Sequence, residues 1–436
     1  MFLTTQNWDT DSNNTTSTMA QRCSDFLKRK KRILICLIIL CLCTMYVTHN
    51  YTVGYVSSSS NLPIVLGDSV YHKPTRKCPN VLSSMLKGAW KKRNLTYLEE
   101  TEMELFLLKT RGGHNIPMTL DRRDGRCGNV TFDSMASYKL HPLLWFRALC
   151  NPRGDKPCCF NGMCVRATEE QCRCPDCYDM RQQIHAEYAT WTPANPDCQP
   201  KQYTQAEACS LLKGSLLYIT GDSFIRHIYT ALILLLRNDY QHGAILPTAS
   251  DVMKKECQGM YMFTEKVCRQ WLDRRVSVCD GTVNVVFNEQ IASAYGASLP
   301  RLTHSLANTS KSLLVIGIGI HENYNPRPIM FSYLHPLLDY LFKSKQAWPR
   351  VLWAGPHAPG ILKTPRIPQQ NYQSVLKYNS VINDYLTSWS VPVFDTFNLT
   401  DGVMSFDGAH YGLGVNKVKV QILLNYIQEL SDRGVW

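Results

Sequence analysis

LLYITGDSFIRHIYTAL, residues 216–232, sets a strand-like apolar run against a helix-like one, with Gly221-Asp222-Ser223 between them. Residues 216–219 read as a short buried strand, while Ile225, Ile228, Tyr229 and Leu232 recur at helical spacing. A strand-to-helix turn of this kind lifts a hydroxyl above the end of a sheet. It also aims the helix's unpaired N–H groups at whatever that hydroxyl attacks. The same residues suit ordinary capping, because serine is a good helix N-cap and an aspartate beside it complements the positive end of the helix dipole. The tripeptide alone leaves both readings open.

Outward from this stretch, the chain after Leu211 repeats one pattern. Strand-like runs SLLYITG, TVNVVFN, SLLVIGIG, RVLWAGP and VPVFDTF alternate with helical patterns near 224–237, 329–344, 371–388 and 415–431. That alternation signals βαβ units, a mostly parallel sheet and helices on both of its faces, a three-layer α/β/α domain over 211–436. In such sheets ligands sit beyond the carboxyl ends of the strands. Three segments end there: Gly221-Asp222-Ser223, the run VIGIGIHENYN with Gly319-Ile320-His321-Glu322, and DTFNLTDGVMSFDGAHYG with Asp407 and His410 just before the last helix. A histidine three residues after an aspartate in a tight loop can be oriented by that carboxylate while its other nitrogen reaches the serine. This is the nucleophile, base and orienting acid that acyl transfer needs. Arg226 has two readings, a local ion pair with Asp222 four residues before it, or support for the nucleophile loop or an anionic acyl donor.

With these residues in place the sequence resembles the SGNH (GDSL-like) hydrolases, and among them the PC-esterase branch. That branch includes the neurexophilin-and-PC-esterase proteins, the trichome-birefringence-like O-acetyltransferases and the lumenal domain of the sialic acid O-acetyltransferase. Its Gly-Asp-Ser-x-x-Arg is matched by Gly221 to Arg226, and its Trp-x-Pro…Cys…Cys-Leu lead-in by Trp191, Pro193, Cys198 and Cys209. CPNVLSSMLKGAW, from Cys78 to Trp90, is similar to the opening of the plant members. The resemblance covers about 191–436 and implies Ser223 as nucleophile, His410 as base and Asp407 as the residue orienting it. It implies an oxyanion hole built from the N–H of Ser223, a glycine on a neighbouring loop, and an asparagine of Gly-x-Asn-Asp. Here that block reads Gly319-Ile320-His321-Glu322, so His321 stands for the asparagine, with Asn323 as a second candidate donor. The implied chemistry is movement of an acyl group, chiefly acetyl, onto a glycan hydroxyl or, as an esterase of the same acyl-serine mechanism, off it. The alternative from another class is a non-catalytic glycan-binding protein on the same fold. Acetyl-CoA is the donor the resemblance allows, and no bound cofactor or metal is expected.

The chain of 436 residues carries a net charge of +12, but KRKKR at 28–32 supplies five of those positives. The remaining basic residues are diffuse and do not alternate with aromatics, which argues against nucleic-acid binding. ILICLIILCLCTMYV at 33–47 follows the basic run without a charge, and as a helix would reach roughly 22 Å, enough for a thin early-secretory membrane. The expectation is a cytoplasmic tail over 1–32, a transmembrane signal anchor over 33–49, a stem over 50–76 and everything after it in the lumen, a single-pass type II Golgi-type protein. Fourteen of the eighteen cysteines fall on that lumenal side, as do sequons at Asn94, Asn129, Asn308 and Asn398. An even count in an oxidising compartment reads as disulfides.

Region 77–210 is cysteine-dense and reads as an accessory module. Cys174 and Cys177 have the spacing of a zinc knuckle, but an oxidising lumen and the adjacent Cys158-Cys159 favour disulfides. With Cys127 the cluster loosely resembles the hevein-type chitin-binding knot, although Phe160 and Met163 stand where that knot has its sugar-binding serine and an aromatic.

Overall fold

The computed structural model describes residues 78–114, 116, 119–132 and 146–436. The expected tail, membrane anchor and stem lie outside the described residues. Among the described residues no helix is long and apolar enough to cross a membrane. The first long helix, α1 (Tyr97–Gly113), opens on a capping box in which Thr96 and Glu99 exchange side-chain-to-backbone hydrogen bonds. Helix α2 (Gln205–Leu212) repeats the device with Thr204 and Glu207 and leads into the first strand of the main sheet.

That sheet has six strands: β1 (Leu216–Gly221), β2 (Arg275–Val278), β3 (Val283–Glu289), β4 (Ser312–Gly317), β5 (Arg350–Ala354) and β6 (Val393–Phe394). Their spatial order is β6-β5-β4-β1-β3-β2. All neighbours are parallel except the β2–β3 pair, an antiparallel edge that the strand pattern had not indicated. Between β1 and its two neighbours, Gly221 lies level with Gly317 on one side and Glu289 on the other. The carboxyl ends of β1, β3 and β4 therefore open together.

Alternation along the strands assigns each face its core. Leu217, Ile219, Val285, Val315 and Leu352 pack on one face with α3 (Ser223–Leu236) and later α7 (Leu413–Asp432). On the other face Leu314, Ile316 and Trp353 pack with α4 (Leu299–Leu306), α5 (His335–Ser344) and α6 (Tyr372–Ser388). Every residue of α3 is buried, the polar Ser223, Arg226, His227 and Thr230 at helical spacing included. Two expectations need correction in detail. VPVFDTF yields only a two-residue strand, and the helix expected from 329 begins as a wide π-helical turn (Ile329–Leu334) before α5. Pro336 accounts for the second, since it has no N–H to continue the regular ladder.

The two segments resembling the family's opening and lead-in meet in space. Gly88–Lys91 pairs antiparallel with Thr190–Pro193, Trp90 faces Trp191 edge-on, and a disulfide joins Cys78 to Cys198. Both tryptophans belong to the core beneath α7. Beyond them, Cys127 pairs with Cys159, Cys150 with Cys164, Cys158 with Cys172 and Cys174 with Cys177. The first three bridges interlock around a short hairpin (Cys158–Phe160 with Met163–Val165). Cys209–Cys279 and Cys257–Cys268 complete the set among the described residues, so the spacing suggestive of a zinc knuckle belongs to a disulfide.

Candidate active site

Ser223 begins α3, but it is not the cap. Asp222 fills that position, accepting the N–H of Phe224 at 3.0 Å. The serine hydroxyl is left to donate to His410 Nε2 at 2.7 Å, across 187 positions of sequence. His410 Nδ1 in turn donates to Asp407 Oδ2 at 2.7 Å. A carboxylate only accepts, so this contact fixes the imidazole with its proton on Nδ1 and its lone pair toward Ser223.

Glycine is required where the chain bends into α3. Gly221 has φ +156°, and a Cβ there would fall inside the Gly317 carbonyl and the Ile225 side chain. The histidine loop is equally constrained. Gly408 has φ +80° and its backbone lies so close to Lys363 N that no side chain fits between them. Asp407 Oδ1 accepts both Ala409 N–H and His410 N–H, and the His410 carbonyl is held by the Ser405 hydroxyl at 2.6 Å.

The two aspartates behave oppositely. Burial would raise Asp407, but the charge and hydrogen bond of His410, with His114 and the Ala409 N–H, hold it far below the usual carboxylate range. Burial pushes Asp222 up to about 7, against the N–H of Phe224, the charge of Arg226 and the approaching N–H groups of Ile320 and Gly319. Its Oδ2 has no hydrogen-bond partner. His410 is lowered, by burial first and by Arg226 and Arg269 in lesser part, against the pull of Asp407. It is therefore neutral at neutral pH, the form that accepts a proton.

Arg226 does not pair with Asp222, whose carboxyl is turned inward as the helix cap. Its buried guanidinium reaches the end of β3 and meets Glu289 at 2.9 Å, a carboxylate shared with Arg274 at 3.3 Å. Gly319 and His321 follow β4. The Gly319 N–H approaches Asp222, while His321 sits exposed on the rim. Its pKa is lowered by desolvation and then by His410, so its imidazole is a neutral N–H donor. Asn323 takes a left-handed conformation and its Oδ1 accepts from Gln370 at 2.8 Å, which turns that amide toward the 368–370 turn. The four sequon asparagines, Asn94, Asn129, Asn308 and Asn398, are all exposed.

Several neighbours escaped the sequence reading. Glu289 is the last residue of β3 and His357 lies three residues past the end of β5, so both sit at the carboxyl edge that also holds Gly319. His227 stands one helical turn after Ser223, with its ring 5.2 Å from that of His410. Lys363 is nine-tenths buried beside the Asp407 loop, and its desolvated ammonium falls to about 8. Lys419 is the one cation among the buried residues of α7, which also include Asn416, Gln421, Asn425 and Glu429.

No family model matches the chain, and no curated protein matches it in sequence. Among solved structures it is similar to a native aryl esterase of M. smegmatis, at 17% identity and TM-score 0.31, over 50% of this chain and 99% of that one. It is similar to Est24, a carbohydrate acetylesterase from Sinorhizobium meliloti, at 12% identity and TM-score 0.29, over 50% and 100% of the two chains. A catalytic mutant of Axe2, an acetylxylan esterase from Geobacillus stearothermophilus, aligns at 13% identity and TM-score 0.29, over 49% and 94%.

Proposed function

We propose that the protein is an SGNH-type serine enzyme of the PC-esterase kind. In this reading it moves an acyl group, chiefly acetyl, onto a glycan hydroxyl through an acyl-Ser223 intermediate. The observation that carries the reading is the continuous hydrogen-bond chain Asp407–His410–Ser223, with the helix cap supplied by the residue before the serine.

Ser223 Oγ attacks the donor's acyl carbon as its proton passes to His410 Nε2, and the buried Asp407 carboxylate stabilises the imidazolium that results. Negative charge on the former carbonyl oxygen faces the N–H of Ser223, which as the first helical residue has no intrahelical acceptor, and the neutral imidazole of His321. Collapse expels the donor's leaving group with the proton from His410. A sugar hydroxyl, deprotonated by the same histidine, then attacks acyl-Ser223. Acetyl-CoA is the donor we assign to the first half and a glycan the acceptor in the second, with the site facing the lumen of the secretory pathway from a type II anchor. Water in place of the sugar makes the same site an esterase.

The test is to incubate the full-length protein with acetyl-CoA and a panel of glycans, following acetyl groups by mass spectrometry. Gain of acetyl on a sugar supports transfer, and loss from pre-acetylated glycans shows the esterase. Wild-type protein that does neither, and whose Ser223 is not labelled by a fluorophosphonate, removes the enzyme reading altogether.

A further inference from the structure

Behind the proposed triad lies a second buried pair with no carboxylate in it. Lys419 on α7 is 1% exposed, and its Nζ lies 3.1 Å from His357 Nδ1. His357, 3% exposed on the loop after β5, places Nε2 2.6 Å from the Ala409 carbonyl. The proton positions follow from donor counting. A carbonyl oxygen only accepts, so His357 Nε2 carries the hydrogen. Nδ1 of the neutral ring is then a bare lone pair, and an ammonium or amine N–H from Lys419 satisfies it. The chain runs in one direction, from Lys419 through His357 to the carbonyl of the peptide that leads into His410.

That peptide is clasped on both sides. Asp407 takes its N–H at 2.8 Å while His357 holds its C=O. The His357 ring also lies against Phe224, the residue after Ser223, with centroids 3.7 Å apart, and edge-on to Tyr411. One imidazole thus touches both halves of the site, the start of the nucleophile's helix and the loop of the base. Burial lowers the Lys419 ammonium to about 7, and the nearby Asp222 offsets part of that cost.

The geometry points to Lys419 as a positioning residue that acts through His357. By satisfying His357 Nδ1 it fixes the ring whose Nε2–H holds the Ala409–His410 peptide, and hence keeps the His410 lone pair on the Ser223 hydroxyl. Without a donor at 419 the Nδ1 lone pair is buried without a partner, and only the Ala409 carbonyl still holds the ring by a hydrogen bond. The inference rests on the serine-enzyme reading above.

The experiment compares Lys419→Met with Lys419→Gln in the full-length protein, with fluorophosphonate labelling of Ser223 as the rate and a thermal scan as the control. Methionine keeps the apolar volume without a donor, whereas glutamine restores an N–H. Labelling should slow on the order of tenfold to a hundredfold in Lys419→Met, recover to within about threefold of wild type in Lys419→Gln, and leave probe saturation unchanged. His357→Phe, which keeps the ring contact with Phe224, should be as slow as Lys419→Met, and the double variant no slower than either. Lys419→Met labelling at the wild-type rate overturns the inference. So do Met and Gln variants that slow equally and in step with lost thermal stability. Wild-type protein that fails to label at Ser223 sinks the serine-enzyme reading instead, so the two failures are distinct.

Discussion

The sheet from 216 to 432 and the cysteine-rich segment between Cys127 and Cys177 hold themselves together by different means. The sheet buries two apolar clusters, one on each face, each drawing on several strands and helices. Around Cys127, Cys150 and Cys159 the buried cluster consists of cysteines alone, with Tyr178 and Cys164 beside it. One region is made by burying apolar surface, while the other adds cross-links that restrict its unfolded chain to a small apolar cluster, in which Phe132, Phe146, Ala148 and Leu149 pack with Leu362. The proposed chemistry sits in the first, where a rigid edge brings Ser223 against His410 of the Asp407–His410 loop, 187 positions away.

The sharpest test of that division is at the sheet's edge. Asp407→Asn keeps the size of the residue but removes the charge that sets the His410 tautomer. Turnover and Ser223 labelling should fall roughly 10⁴-fold while the thermal transition moves little. A variant with near-normal labelling would break the link between edge geometry and chemistry.

The next largest effect separates the two kinds of stability. Ile316, fully buried in the central strand β4, should cost about 2–5 kcal/mol when cut to alanine and lower the temperature at which labelling is lost. Replacing both Cys158 and Cys172 by serine removes a cross-link spanning 14 residues and about 3 kcal/mol from its own segment. That double variant should gain protease sensitivity near 158–172 yet keep Ser223 labelling within about threefold of wild type, as expected for local opening. Equal loss of labelling in both variants would show one cooperative unit in place of two.

How far each region was readable follows the same line. Period-2 and helical apolar patterns are repeated many times over 211–436, so strands, helices and the residues at their ends could be placed. Gly221, Ser223, Asp407 and His410 stood out because the pattern broke at them. The partner of Arg226 could not be read, since Glu289 is 63 positions away and only the parallel register brings it level with Gly221. His357 and Lys419 were hidden for a similar reason. Each is a polar residue in a largely buried stretch, and only tertiary packing shows that the two meet. In the cysteine-rich segment local spacing does not determine pairing, so the interlocked order of the bridges had no signature before folding.

A smaller effect concerns pH. His410 must be neutral to accept the serine proton, and its pKa lies below the usual 6.5. Labelling should be at its plateau at neutral pH and decline only as pH falls through that depressed value. Measuring the labelling rate from pH 8 downward checks this, and a midpoint above 6.5 would contradict the burial that lowers it. The least effect is expected from the surface. Glycosidase treatment should lower the gel mobility mass through the exposed Asn94, Asn129, Asn308 and Asn398 while leaving labelling unchanged. A labelling rate that falls on deglycosylation would tie those sites to the chemistry.

The two ends of the main sheet carry a consequence for association. At one end β2 is four residues long, its exposed Arg275 alternates with buried valines, and the strand stops at Cys279, bridged to Cys209. At the other end β6 offers only two residues. Unpaired strand edges are templates on which another chain can add a strand, and short or charged edges deny it the length it needs. An incoming extended segment would find too few successive backbone groups at either end to form a stable ladder. Short edges of this kind disfavour strand addition by partners or further copies of the chain, which leaves the carboxyl-end opening above Ser223 clear of edge-to-edge stacking.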